Sequence, residues 1–420
     1  MCRSIAVALA GLIASPSVAL AGGLFLYEVG TPDTGLASAG WAARAEDSAT
    51  ILTNPAGMTR LDEDDLLVGL QALYVDIGLT PDANTTSTGG DGGNPIGWFP
   101  GGGLFWVHPT SDRVRVGLAV TGNFGLGLDY DDDWAGRYHV QDATLLGVSV
   151  LPAIAWKVSD TVSVGAALNA TYGVFDTKVA VNNPLSPADG SLQVDDAVWG
   201  FGGNVGVLCE SDDDTRFGLT YTSPVKLDFG AVPEFSDLSP GLSFALGLAG
   251  LLDAEIDLSV TVPQTVMASF VHGVGGRWSL LGNVGWQGWS GFGKVDVAVD
   301  SDNPTSLTVD LNFQDTWHAA LGAQANNPSG WSFDFGAAYD SSCVEDADRS
   351  VALPLGATWR FGFGARRKLT ETLDLGLAYE LGWLGALPVD QQRGPLTGRI
   401  AGTYEDGAMH FRSASLRWTL

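Results

Sequence analysis

Positive charge is scarce in this sequence. Its 420 residues include 21 lysines and arginines against 48 aspartates and glutamates, which gives a formal net charge of −27. A surface that binds nucleic acid neutralises phosphates with many clustered basic side chains, and the longest basic run in the sequence, Arg366–Lys368, has three residues. Nucleic acid is therefore excluded as a partner.

Cysteine and recognisable catalytic motifs are scarce as well. Cys2, Cys209 and Cys343 are too few for a disulfide scaffold and lack metal-site spacing, although a bridge between Cys209 and Cys343 stays open. The five histidines are scattered without an HExxH motif, and no G-x-S-x-G motif occurs. The sequence therefore predicts no metal site, no other cofactor and no enzymatic activity.

Long apolar runs are also missing after residue 21. The longest apolar stretch, around 241–252, is interrupted by glycines, whereas a membrane-spanning helix needs about 20 predominantly apolar residues. A helical membrane protein is thereby excluded.

The first 21 residues have the pattern of a secretory signal peptide. Arg3 supplies a positive start, Ile5–Ile13 an apolar core, and Ala19-Leu20-Ala21 a cleavage site of small residues. The nine apolar residues before Pro16 are too few for a transmembrane anchor. We expect the mature chain to begin at Gly22, on the far side of the inner membrane.

Period-two alternation is what the remaining sequence has in abundance. Val114, Val116, Leu118 and Val120, for example, share one parity, which places them on one face of a strand. Breaking the chain at turn signals predicts strands near 66–80, 101–109, 113–125, 140–158, 161–182, 195–209, 215–231, 254–274, 278–299, 305–326, 331–344, 351–369, 372–384 and 398–420.

Fourteen strands joined alternately by short turns and long connections are typical of an outer-membrane barrel. Many of these strands exceed the roughly 9–11 residues that cross a membrane, so we expect the wall to project outside as a collar. Tryptophans near strand ends fit the aromatic girdles of such barrels: Trp106, Trp156, Trp278, Trp359 and Trp418. The alternative, a secreted propeller or sandwich, is disfavoured because no blade-length repeat occurs.

Residues 23–61 resemble the N-terminal plug of the FadL/TodX family of outer-membrane transporters for long-chain fatty acids and other hydrophobic compounds. The anchor is Asn54-Pro55-Ala56-Gly57, which follows an alanine-rich stretch. Later stretches are similar to further family landmarks: Asn123–Leu126, Trp134–Tyr138, Leu151–Trp156, Trp286–Phe292, Asp315–Gly322 and Gly398–Tyr404. The chain departs from the family by ending in Leu420 instead of an aromatic residue, with Trp418 on the same face.

The resemblance implies an all-β, 14-stranded antiparallel transmembrane β-barrel with a small N-terminal plug. The domains expected are a signal peptide (1–21), a plug or hatch (22–63) and a barrel (64–420). The implied function is passive, ligand-gated uptake of long-chain fatty acids or similar hydrophobic molecules across the outer membrane of a Gram-negative bacterium, with lateral exit. A structural or general-diffusion barrel without a specific ligand is the alternative.

Three groups of residues are candidates for ligand capture and gating. Leu242 and Leu246 lie on a predicted amphipathic helix after Ser239-Pro240, which either captures ligand or packs on the barrel rim. Asn54, Pro55 and Ala56 are expected where the plug meets the ligand pocket. Leu24 and Phe25, in the apolar stretch that begins the mature chain, are expected to occupy that pocket and to leave when ligand binds.

The remaining candidates concern exit and the ligand headgroup. Gly122 and Gly125 permit a strand to bend, and a bend in the third strand opens the wall in FadL-like proteins. Arg137 is a candidate partner for a carboxylate headgroup, with structural pairing to Asp131–Asp133 as the alternative. The expected partners are hydrophobic small molecules, outer-membrane lipid and lipopolysaccharide, which divalent cations could bridge to the acidic loops, and we expect a monomer.

Overall fold

The computed structural model describes residues 26–183, 186, 188–300, 305–393 and 397–420. The predicted signal peptide and the candidates Leu24 and Phe25 lie outside the described residues. Twenty strands are present: β1 (Asp65–Asp76), β2 (Leu79–Pro81), β3 (Gly97–Pro109), β4 (Val114–Asp129), β5 (Asp142–Lys157), β6 (Val162–Val181), β7 (Gly190–Glu210), β8 (Thr215–Thr222), β9 (Val225–Ala231), β10 (Glu234–Ser236), β11 (Glu255–Val262), β12 (Thr265–Val274), β13 (Trp278–Gln287), β14 (Lys294–Asp300), β15 (Thr305–Asp310), β16 (Thr316–Asn327), β17 (Trp331–Asp340), β18 (Thr358–Lys368), β19 (Leu373–Gln392) and β20 (Arg399–Thr419).

Helical segments are few and short among the described residues. Three are α-helical: α1 (Thr50–Thr53), α2 (Pro240–Leu248) and α3 (Trp289–Phe292). Pro32–Leu36 and Pro55–Arg60 form 3₁₀ turns. None of the helices in the described part of the chain is both long and apolar enough to cross a membrane.

Fourteen of the strands form a closed antiparallel barrel. Its order is β1-β3-β4-β5-β6-β7-β8-β12-β13-β16-β17-β18-β19-β20, and β20 closes the ring by pairing with β1 from Asp65↔Thr419 to Asp76↔Ala408. Closure leaves no sheet edge whose unpaired N–H and C=O groups would be exposed to lipid. Short turns join the strands at one end and long connections at the other, which identifies the periplasmic and extracellular ends. The predicted barrel of fourteen strands is confirmed.

Strands β9, β11, β14 and β15 form a second, four-stranded sheet, here called the outer sheet. The sequence-based assignment was wrong here, because it joined these segments to barrel strands as 215–231, 254–274, 278–299 and 305–326. Pro224 and Pro263 stand at two of the breaks, where a fixed φ and a missing N–H end the ladder. Helix α3 interrupts the third. The predicted strand 351–369 begins only at Thr358.

The outer surface of the barrel is apolar. Large side chains with outward parity are exposed, among them Leu70, Ile154, Phe201, Leu321 and Phe361. Trp106, Trp156 and Trp278 are exposed near the periplasmic end and Trp359 near the extracellular end. Such a belt with aromatic ends matches the hydrocarbon layer of a membrane.

The interior of the barrel holds residues 26–61, here called the N-terminal segment, which are buried almost throughout. Inward-facing glycines allow its backbone to lie directly on the wall. A Cβ at Gly165 would stand 2.3 Å from the amide nitrogen of Ala56, and one at Gly336 would stand 1.8 Å from the carbonyl oxygen of Leu36. Further inward glycines make the same close approach to backbone: Gly69, Gly218 and Gly362; Gly206 instead lies against the side chain of Asn54.

The main apolar core lies above the N-terminal segment, towards the extracellular end. It joins inward side chains of the barrel, such as Leu73 and Phe175, to those of the outer sheet, such as Val297. The two cysteines among the described residues are free: Cys209 is exposed near the periplasmic end of β7, and Cys343 is buried in the connection between β17 and β18. The structure thus excludes a bridge between them.

Candidate functional site

A narrow cavity separates the N-terminal segment from the apolar core. Its free volume is about 30 Å³, which is room for one or two water molecules, so any larger ligand requires lining side chains to withdraw. The apolar lining includes Tyr27, Trp41, Leu52, Phe124, Leu151 and Met267. The polar lining consists of amides and hydroxyls, including Asn123, Ser149, Asn169, Thr171, Asn204 and Gln287.

Tyr27 is fixed at this cavity by contacts on several sides. The amide nitrogen of Gln287 donates to its hydroxyl at 2.8 Å, and its ring lies 4.6 Å from that of His318 and 5.2 Å from that of Trp41. Burial raises the pKa of the Tyr27 phenol well above its ordinary value, with Asp340 acting in the same direction. Tyr27 is therefore a neutral hydroxyl at the cavity wall.

Asn54, Pro55 and Ala56 form a turn, here called the NPA turn, beside the cavity. The Asn54 side-chain oxygen accepts from the amide of Ala56 at 3.1 Å, and its Nδ2 donates to the carbonyls of Ala42 at 2.7 Å and Val207 at 3.0 Å. One side chain thus closes the turn and ties it to β7. The cavity lining from this part of the chain comes from Leu52, while the NPA turn lies against the wall.

A buried charged group joins the N-terminal segment to three adjacent strands. Arg360 on β18 contacts Glu28 at 2.6 Å, Asp340 on β17 at 2.7 Å and Glu380 on β19 at 3.1 Å. His318 also contacts Asp340, at 2.7 Å. All five side chains are at most 3% exposed, so this group, here called the Arg360 cluster, holds Glu28 against the wall.

A second charged layer lies below, towards the periplasm. Arg44 binds Asp33 at 2.7 Å and Asp47 at 2.6 Å. Burial works against ionisation of Glu46, but Arg366, Arg44 and Arg216 outweigh it and hold the pKa of Glu46 at about 2. The periplasmic side of the N-terminal segment is therefore charged and hydrogen-bonded, unlike the side that faces the cavity.

The wall of the barrel has a break beside the cavity. Strands β3 and β4 pair only from Pro109↔Arg115 to Gly103↔Thr121 among the described pairings. Above this level residues 97–102 pair with β1 and residues 124–129 with β5. The two strands meet again where the amide of Asp129 donates to the carbonyl of Pro95 at 2.7 Å. We call this break the β3–β4 gap.

The predicted glycines lie at this gap. The register of β4 shifts between Thr121 and Phe124, so residues 122–123 form a bulge, and a Cβ on Gly122 would meet nothing within 4 Å. Gly125 has φ +117°, and a Cβ there would lie 2.1 Å from the carbonyl oxygen of Leu145. Gly125 thus requires glycine for backbone reasons, whereas Gly122 faces open space.

Leu242 and Leu246 lie on α2, whose N-cap Ser239 accepts from the amide of Leu242 at 3.4 Å. Leu246 is 3% exposed within the apolar core, and Leu242 packs against that core. The exposed apolar side chains of the helix are Phe244 and Leu248, 68% and 71% exposed. Both leucines singled out from the sequence therefore face the core.

Arg137 is fully engaged in the extracellular loops. Its Nε contacts Asp189 at 2.8 Å, and the guanidinium also donates to Thr88, Trp134 and Tyr138. The predicted pairing of Arg137 with Asp131–Asp133 was wrong, because the loop between β6 and β7 brings Asp189 to the guanidinium instead. Arg137 does not line the cavity.

Most cavity residues were missed from the sequence as site residues. Asn123, Phe124, Trp286 and Gln287 lie within stretches that resemble family landmarks, and that was the signal available for them. Tyr27, Trp41 and Leu52 belong to the predicted plug but carry no motif of their own.

A closed fourteen-stranded barrel with an apolar belt, an occupied interior and a lined cavity defines an outer-membrane transport barrel. Residues 12–415 match the family model described as outer membrane protein transport protein (OMPP1/FadL/TodX), and the chain belongs to this family. The family consists of transport and channel proteins, so the protein is not an enzyme. The predicted family and outer-membrane location are confirmed.

Individual relatives agree with this assignment. The chain is 27% identical over 394 residues to the long-chain fatty acid transport protein of Escherichia coli O6:H1, covering 85% of this chain and 86% of that protein. It is 30% identical over 394 residues to the 47 kDa outer membrane protein of Pasteurella multocida, covering 84% and 86%. The fold is similar to the crystal structure of a Pseudomonas aeruginosa FadL homologue (TM-score 0.84, 21% identity, 94% and 99% covered) and to the Pseudomonas putida toluene transporter TodX (TM-score 0.69, 15% identity, 94% and 99% covered).

Proposed function

We propose that this protein takes up hydrophobic molecules, such as fatty acids or hydrocarbons, across the outer membrane by passive diffusion. The observation that carries the proposal is the lined cavity between an apolar core and the N-terminal segment, directly beside the β3–β4 gap. Relatives named as a long-chain fatty acid transport protein and a toluene transporter support the substrate class. An apolar route is needed because hydrophobic molecules cross the polar outer leaflet poorly.

The ligand enters from the extracellular side. The exposed faces of Phe244 and Leu248 on α2 offer a first apolar contact, and Leu242 and Leu246 continue it into the core. Each buried CH₂ of a ligand contributes about 0.8 kcal/mol, so a chain of eight carbons gains about 6 kcal/mol. That gain is sufficient to displace side chains from the narrow cavity.

The N-terminal segment acts as a plug, and the stretch that precedes it, which lies outside the described residues, acts as the gate. Residues 22–25, including Leu24 and Phe25, directly precede Leu26, whose amide donates to the carbonyl of Asn123 at 2.9 Å. We propose that this stretch withdraws on ligand binding, while the NPA turn keeps the rest of the plug on the wall. Deleting residues 22–25 should change ligand affinity with the barrel still assembled; unchanged affinity would contradict the gate.

Exit is lateral, through the β3–β4 gap. The downward route crosses the charged layer of Arg44, Glu46 and Arg366, where an apolar ligand would have to desolvate ion pairs. Gly122→Trp should block uptake, because its side chain fills open space in the gap. Gly291→Trp is the matched control, since Gly291 also faces open space but lies on α3. Equal uptake by both variants would place the exit elsewhere.

A structural or general-diffusion barrel is the second candidate. A plugged barrel conducts few ions in planar bilayers, whereas an open barrel gives steady porin-like currents. The buried N-terminal segment favours a plugged barrel. We expect low conductance from purified protein together with binding of a fatty acid or hydrocarbon, and steady currents without binding would favour the alternative. We further propose that the barrel works as a monomer surrounded by lipid and lipopolysaccharide.

A further inference from the structure

The cavity lining is free of charge. None of its nineteen described lining residues is Asp, Glu, Lys, Arg or His. The guanidinium of Arg360 lies 5.7 Å from the centroid of the Tyr27 ring, and it already faces three carboxylates. A carboxylate or phosphate placed in the cavity would lose its hydration without gaining a cationic partner.

Asn123 offers the cavity an unused polar group. Its side chain is 6% exposed, its Oδ1 has no hydrogen-bond partner among the described residues, and it lines the cavity. The bulge in β4 causes this orientation, because it turns both Asn123 and Phe124 inwards. A buried carbonyl oxygen without a donor costs about 1–3 kcal/mol, which a ligand hydroxyl would recover.

We infer that the site selects uncharged ligands: a largely apolar molecule with one neutral hydrogen-bond donor, such as an alcohol, a phenol or an undissociated carboxylic acid, that donates to Asn123. This inference rests on the proposed function and names the headgroup that the transporter accepts. The net charge of −27 acts in the same direction, since it disfavours the approach of anions.

The test compares ligands with the same apolar chain. Decanol, decane and decanoate are titrated at pH 8.5 against full-length protein in amphipol, with tryptophan fluorescence as the readout because Trp41 and Trp286 line the cavity. Decanol should bind about fivefold more tightly than decane, the equivalent of about 1 kcal/mol for a neutral hydrogen bond. Decanol should also bind at least about tenfold more tightly than decanoate.

Two substitutions test whether Asn123 causes the tighter binding of decanol relative to decane. Asn123→Leu should abolish the advantage of decanol over decane and leave decane binding intact, whereas the control Asn326→Leu, at the periplasmic end of β16, should preserve it. Decanoate bound as tightly as decanol, or an Asn123→Leu variant that keeps the advantage, would overturn the inference. Arg393, at the extracellular end of β19, donates to the carbonyl of His139 at 3.5 Å. Decanoate binding that is lost in Arg393→Gln would overturn the inference as well, by placing the headgroup on that arginine. A protein that binds none of the three ligands would contradict the proposed function itself.

Discussion

Replacing Arg360 with methionine should release the N-terminal segment while the barrel persists. The guanidinium lies 2.6 Å from Glu28 and 2.7 Å from Asp340, and these side chains are at most 3% exposed. Methionine occupies similar space but leaves the buried carboxylates without their cation. Removing one partner of a buried ion pair costs about 3–5 kcal/mol, and the contact with Glu28 is the one that belongs to the segment.

This free energy corresponds to a shift of about 10²- to 5 × 10³-fold in the equilibrium between a docked and a released segment. Single-channel conductance in planar bilayers measures release directly, since a vacated interior passes ions. Limited proteolysis of residues 26–61 provides a second measure, and migration in unheated SDS gels reports whether the barrel is still folded. We expect raised conductance and faster cleavage with the folded band retained.

Two further variants test the electrostatic reasoning. Arg360→Lys keeps a charge but cannot reach all three carboxylates, so its conductance and its rate of proteolysis should lie between those of wild type and Arg360→Met. Adding Glu28→Gln to Arg360→Met removes one uncompensated carboxylate and should recover part of the loss. Wild-type conductance and proteolysis in Arg360→Met would refute the reasoning, and loss of the folded barrel would show that the cluster holds the wall instead of the segment.

Three further predictions concern the wall, pH and α2. Gly206→Ala should destabilise the protein by about 1–3 kcal/mol, because its Cβ would lie 1.9 Å from the nearest oxygen of the NPA turn, whereas Gly203→Ala on the same strand meets nothing closer than 3.5 Å and should be tolerated; equal melting temperatures would contradict this. Glu46 has a depressed pKa, so its contribution to stability is present above about pH 5 and is lost as the pH falls towards 2. At pH 7, Glu46→Gln should therefore unfold at a lower urea concentration than wild type, and its stability should depend less on pH. Leu246→Ala should cost about 2–5 kcal/mol, while Leu248→Ala should lower uptake at unchanged stability; the reverse pattern would remove α2 from the entry route.

Sequence patterns predicted the barrel because alternation and turns are local signals. The parity of Val114–Val120 and the polar turns are visible in short windows, so strand number and orientation followed. The outer sheet was missed for the same reason. Residues 225–231 alternate as regularly as the barrel strand before them, and although Pro224 marks a break, it does not show that the chain has left the wall.

The site was less predictable because its contacts join distant segments. The Arg360 cluster unites residues from five stretches of sequence, and Arg137 meets Asp189 across 52 positions. The role of glycine was also hidden, since abundance alone does not tell an inward glycine such as Gly165 from one in a turn. Asn123 could not be singled out from the sequence, because the bulge that turns its side chain inwards is visible only in the structure.

The outer sheet links the fates of two surface loops. Strands β9 and β11 belong to the connection between β8 and β12, and β14 and β15 to that between β13 and β16, with β11–β14 pairing holding them together. Substitutions that antibodies or phage select in one connection are therefore restrained, because they must preserve its pairing with the other connection. The β6–β7 hairpin is tied to the first of these connections as well, because β10 pairs with the start of β7 from Glu234↔Gln193 to Ser236↔Ser191.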